Sequence, residues 1–234
     1  MKTCRILRNS LRWRILPWSL AILFSACHPR TSSAGGSPAP VSRVLLLLNP
    51  QVIPTNMLES IRAFAEDELS VPVRAATVES TSGATLPDIM AWAKTYRSEA
   101  VVGVIAMGNP TNQSPAHLFF DTNTLIAAIN VPALRHDDPD IFSKRLVRQT
   151  MRAAAFILGL APCPDPFCVT RPYTSLEDLD RMGLNFSPPW KDEFVKRAKE
   201  HSLEIIRRVP PAVRMKREAR NLPSSQPPGK KTNP

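Results

Sequence analysis

The sequence predicts an α/β domain: a mixed, mostly parallel sheet with covering helices. Three observations carry this. Short, wholly apolar runs alternate with stretches of helical periodicity through the first half. One long helical stretch is stopped by a glycine. The excess positive charge is confined to the two ends, leaving a near-neutral middle of single-domain size.

The elements follow in order. Within 43–49 the run Val-Leu-Leu-Leu-Leu, ended by Asn49-Pro50, reads as a strand buried on both faces. Thr55 is positioned to cap a helix that carries Leu58, Ile61, Ala65 and Leu69 on one stripe. A second strand is expected over 71–78. Pro87 suits the first turn of a helix containing Ile89, Met90 and Trp92. A third apolar strand spans 101–107 and is stopped by Gly108-Asn109-Pro110. Residues 118–121 and 125–130 flank Thr122-Asn123-Thr124 as an antiparallel hairpin. Asp138 or Asp140 starts a long helix to about Leu158, and Gly159 ends it in the left-handed conformation. Pro164, Pro166 and Pro172 forbid regular structure beyond it, and two helical stretches follow near 176–182 and 190–208.

The ends predict export. Residues 1–26 divide into a positive stretch with Lys2, Arg5, Arg8, Arg12 and Arg14, a short apolar run over 15–24, and small residues before Cys27. The run is well below the ~20 residues of a spanning helix. It reads as a signal peptide of lipoprotein type, with Cys27 as the lipidated new N-terminus. Phe24 stands where Leu is usual. Residues 27–42 are small, polar and rich in Pro, Gly and Ser, as in a tether. The expected location is a bacterial cell envelope. His28, rather than Asp, after the lipidated cysteine favours an outer membrane if the host has one.

Residues 209–234 carry six prolines and no apolar periodicity, so they read as a disordered basic tail. The formal charge of +10 comes in equal parts from the signal segment and this tail. That argues against nucleic acid. It points instead to anionic lipid or an anionic cell-wall polymer as what the tail touches. The domain proper is 43–208.

From Arg152 the chain runs Arg-Ala-Ala-Ala-Phe-Ile-Leu-Gly-Leu-Ala-Pro-Cys, then Pro-Asp-Pro-Phe-Cys-Val-Thr. Gly159, Leu160, Cys163, Cys168 and Val169 match the framework of H-E-x-x-H-x-x-G-x-x-H-C-x4-C-V-M. Over roughly 43–197 the chain resembles the archaemetzincins, zinc metallopeptidases of the metzincin type. The resemblance implies a metzincin-like fold with a long former active-site helix and a C-terminal helical part. It also exposes what is missing. Arg152 stands at the first histidine, Ala153 at the general-base glutamate and Phe156 at the second histidine. Pro162 stands at the third histidine and Thr170 at the methionine below the metal. Arginine is a permanent cation, and alanine and phenylalanine offer no lone pair. No zinc and no other cofactor is expected. The family's structural zinc uses four cysteines. Cys163 and Cys168 match two, while Ser187 and Trp190 fall near the others, so a Cys163–Cys168 disulfide is expected in an exported protein.

The leading functional expectation is an inactive, archaemetzincin-like domain with a binding or structural role, its peptide or protein ligand unknown. Arg152 is expected one turn from Phe156 on the same face, pointing to solvent. The alternative is an anion site for a peptide carboxylate. Two competing classes are an active zinc metallopeptidase or other hydrolase using residues outside the degenerate motif, and a structural lipoprotein acting through its tail. No G-x-S-x-G signature supports the hydrolase.

Overall fold

The computed structural model describes residues 42–79, 85–111 and 115–206. The signal segment 1–26, Cys27, the tether up to residue 41 and the tail 209–234 lie outside the described residues. No helix among the described residues is long and apolar enough to cross a membrane.

Five strands form one sheet in the order β2-β1-β3-β5-β4. They are β1 (Val44–Asn49), β2 (Val73–Thr77), β3 (Val101–Gly108), β4 (Leu118–Asp121) and β5 (Ile126–Asn130). β1 pairs parallel with β2 and β3, and β3 pairs parallel with β5. Only the edge strand β4 runs antiparallel, against β5. Its hairpin is held by Asp121, whose carboxylate accepts from Asn123 N at 2.9 Å and Thr124 Oγ1 at 2.6 Å.

Alternation along the strands divides the core in two. Leu45, Leu47, Ile105, Met107, Ala127 and Ile129 face one layer. It is closed by the helices α1 (Thr55–Leu69) and α3 (Pro139–Ile157). Leu46, Leu48, Val104, Ala106, Ile126 and Ala128 face the other, under α2 (Leu86–Ala93). Every residue of β1 is buried, which explains its unbroken apolar sequence. At Gly103 a Cβ would come within 2.9 Å of Ile157 Cδ1 and 3.0 Å of Leu45 Cδ2. A side chain there would force the ends of the Ile157 and Leu45 side chains to move.

Helix ends differ from expectation in three places. Thr55 is not the cap of α1. That position is Pro54, which has no side-chain cap, and the preceding turn is held instead by buried Asn49. Asn49 Oδ1 accepts from the amides of Val52 and Ile53, and Nδ2 donates to Ile53 O at 2.7 Å. The start of α2 is fixed by an unforeseen capping box between Thr85 and Asp88. After α4 (Leu176–Arg181), α5 spans Pro188–Glu200 rather than 190–208. Ser202, at φ 60°, turns the chain while Leu203 N donates to Ala198 O at 2.9 Å. Leu203 is thereby buried in the core, and Ile206 N reaches Ser70 O at 2.8 Å.

Candidate functional site

Helix α3 places the motif residues. Asp138 caps it through Asp140 N, and its other end closes in a Schellman turn. Gly159 N donates to Phe156 O and Leu160 N to Ala155 O, each at 3.0 Å, with Gly159 at φ 80°. The spacing of 152 and 156 puts both side chains on one face. Ala153 lies fully buried in the core instead.

Arg152 does not point to solvent. It is 8% exposed, and its Nη1 donates to Val169 O at 3.1 Å and to Arg171 O at 2.6 Å. Its guanidinium carbon lies 5.1 Å from the ring centre of Phe156 and 4.8 Å from that of Tyr173. Tyr173 in turn stacks on His117 at 5.7 Å, and Phe156 packs on Phe120 of β4 at 5.2 Å. The result is a run of five planar groups, His117–Tyr173–Arg152–Phe156–Phe120, tying the β4 hairpin, α3 and the segment after Cys168 together. Tyr173 Oη is fixed by Gln149 Nε2 at 2.6 Å and by His117 Nδ1 at 2.8 Å.

Burial sets the electrostatics. Desolvation holds the Arg152 guanidinium below its ordinary range, opposed by Tyr173 and Cys168. Burial pushes the Tyr173 phenol up against the pull of Arg152. Burial, then the charge of Arg145, lowers His117 from its ordinary value.

Arg152 is one of three buried arginines on this face of α3. Arg145 forks onto Asp180 at 2.9 and 2.6 Å and also donates to Leu134 O and Arg135 O. Arg148 donates to Asp180 O and Met182 O. Spaced at 145, 148 and 152, they fasten to the helix the segments 169–171 and 180–182 that follow it and, through Arg145, the turn at Leu134 and Arg135 that precedes it.

The remaining motif positions lie beyond the helix. Pro162 is exposed, and Thr170 is fully buried beneath Cys168. The expected Cys163–Cys168 disulfide is not formed here. Both are free, buried thiols. Each sulfur has a hydroxyl partner instead: Ser187 Oγ at 3.3 Å from Cys163 Sγ, and Thr170 Oγ1 at 3.3 Å from Cys168 Sγ. Burial works against the Cys168 thiolate, but the donors of Thr170, Ser187 and Cys163 outweigh it and hold this thiol below its usual range. Burial raises Cys163.

No family model matches this chain. The structure is similar to the crystal structure of archaemetzincin from Methanopyrus kandleri, with a TM-score of 0.56 at 18% identity, over 70% of this chain and 99% of that one. This chain has the archaemetzincin fold. A zinc-dependent peptidase from Methanocorpusculum labreanum superposes with a TM-score of 0.53 at 12% identity, over 64% of this chain and 99% of the other. In sequence, 60 residues are 33% identical to the curated archaemetzincin of Methanopyrus kandleri. That stretch spans 26% of this chain and 34% of the relative's length.

The archaemetzincin likeness implies zinc, and the residues present do not fit it. Arg152 and Phe156 fill the helix face with a cation and a ring. The nearby histidine, His117, turns Nδ1 to Tyr173 Oη. At the second site Trp190 Nε1 is a donor, committed to Ala161 O at 2.9 Å. Among the described residues, no three His, Cys, Asp or Glu side chains are grouped to hold a metal ion.

Sequence reasoning missed His117, Phe120 and Tyr173, which complete the stack from distant segments, and Gln149, which fixes Tyr173 Oη from α3 itself. The signal for Arg145 and Arg148 was present. Three arginines recur on one face of an otherwise apolar helix, where a solvated face is the ordinary reading.

Proposed function

We propose that this chain is an envelope lipoprotein whose archaemetzincin-like domain does no zinc chemistry and serves as a binding or structural module. The observation that carries the reading is Arg152. At the position of the first metal ligand stands a buried permanent cation whose hydrogen bonds go to backbone carbonyls and whose flanks are aromatic. Such a group repels a divalent ion, and the residues at 153, 156 and 162 supply neither base nor ligand. The lipoprotein part rests on the signal-like segment ending at Cys27 and on the tether that follows.

The test is a peptidase assay of the purified full chain on mixed peptides, with and without a chelator. No cleavage in either arm is expected, and chelator-sensitive cleavage would support the active-metallopeptidase reading instead. The combined variant Arg152→His, Ala153→Glu, Phe156→His, Pro162→His provides the matching gain-of-function arm. Zinc uptake by the variant but not by the parent would show that these four positions alone separate the two states. Deleting 209–234 while retaining the domain separates a role of the domain from one carried by the tail. For the anchor, Cys27→Ser is expected to move the protein out of the membrane fraction. Retention with an intact N-terminus contradicts lipidation.

A further inference from the structure

Beside the Arg152 stack lie two thiols that the proposed role does not use. Cys163 and Cys168 both abut Ser187, which occupies the N-cap position of α5 without a side-chain cap bond, and each thiol influences the ionisation of the other. Their surroundings differ. Cys168 Sγ faces two protein donors, the Thr170 hydroxyl at 3.3 Å and the Ser187 amide at 3.5 Å. Cys163 Sγ faces the Ser187 hydroxyl at 3.3 Å and the Asp165 amide, and burial outweighs both. Donors aimed at sulfur stabilise the thiolate, the nucleophilic form, so the two are not equivalent.

Their cover is also particular. Both are 1% exposed and belong to the main core, while the loop they bracket, Pro164-Asp165-Pro166-Phe167, lies at the surface. Phe167 is 76% exposed. The same loop borders a cavity of about 510 Å3 lined by Asp165, Phe167 and residues 183–188, Ser187 among them. The two thiols thus bracket a surface loop beside this cavity, and both touch its Ser187.

We propose that Cys163 and Cys168 form a thiol–disulfide exchange site, with Cys168 attacking and Cys163 resolving, for a disulfide-bearing oxidant. The Cys168 thiolate attacks one sulfur of the oxidant's disulfide, forming a mixed disulfide and expelling one thiolate. Cys163 then gives up its proton and attacks Cys168 Sγ, expelling the second. The protein loses two hydrogens as its disulfide forms, and the oxidant's disulfide is reduced to two thiols.

The test uses the full chain, reduced and then exposed natively to oxidised glutathione, with intact-mass and peptide-level readout. In wild type the Cys163 and Cys168 peptides are expected to end joined and two hydrogens lighter, with no glutathione retained on either. Cys163→Ser is expected to trap a glutathione adduct on Cys168, and Cys168→Ser to react at least about tenfold more slowly. Limited alkylation of the unmutated protein gives a readout free of folding effects: Cys168 is labelled before Cys163. The proposal is overturned if the native wild type stays unreacted while both thiols alkylate on unfolding. Equal reactivity of the two variants, or Cys163 labelled first, also overturns it. None of these outcomes depends on whether the domain has peptidase activity.

Discussion

A guanidinium and a zinc ion both bring positive charge into a protein interior, but they organise different partners. Zinc collects side-chain lone pairs, whereas arginine donates protons to oxygens it finds in place. At 152 those oxygens are the carbonyls of Val169 and Arg171, and the faces of Phe156 and Tyr173 supply the rest. Arg152→Ala leaves two buried carbonyls unmatched and removes the ring contacts, so a loss of about 3 kcal/mol is expected in denaturant unfolding. Arg152→Lys keeps the charge but not the planar stack and should lose about 1–2 kcal/mol. The neighbouring His117 gives a pH signature. Its folded pKa lies below the ordinary 6.5, so the unfolded chain takes up the proton first as pH falls. Stability is therefore expected to be full above about pH 6.5 and to decline below it until the folded pKa is reached. His117→Gln should flatten that part of a melting-temperature profile, and an unchanged slope would sever His117 from it. The identity of 152 as an arginine was plain in the sequence. Its direction was not, because whether a lone arginine on a helix faces water or carbonyls is decided by Tyr173 and residues 169–171, far along the chain.

Helix α3 is where local sequence and long-range packing meet. Its limits were legible, since Asp138 caps one end and Gly159 takes φ 80° at the other. A Cβ on Gly159 would meet nothing within 4 Å, so Gly159→Ala isolates the backbone effect, expected at about 1 kcal/mol by thermal unfolding. A near-zero change would deny the turn its left-handed requirement. The interior of the helix was less legible. Arg145, 5% exposed, is matched by Asp180 from α4, and no periodicity announces that pairing. Asp180→Ala strands a buried cation, and a loss of about 2–3 kcal/mol is expected. Asp180→Asn, which keeps one acceptor, should lose less. The overlong reading of α5 has the same origin: residues 201–206 leave the helix because Leu203 is drawn into the core, a tertiary preference that overrides local pattern.

At the scale of the whole molecule, a mostly parallel sheet under covering helices was readable from apolar runs alternating with helical stretches, whereas the strand order and the two layers of the core required the fold. The edge hairpin was readable from Thr122-Asn123-Thr124 between two strand-like runs. What fills the motif-bearing face of α3 was readable only as ligands that the sequence does not carry. What occupies it, a stack drawn from residues 117, 120, 152, 156 and 173, required the fold. The fold thus keeps the archaemetzincin frame while an arginine-centred stack joins elements around the motif positions. If so, the protein stands without metal. The most direct test is the metal content of the purified full chain, measured by inductively coupled plasma mass spectrometry after expression in zinc-replete medium. Zinc far below one per chain is expected. One zinc per chain, lost on treatment with a chelator, would contradict the account.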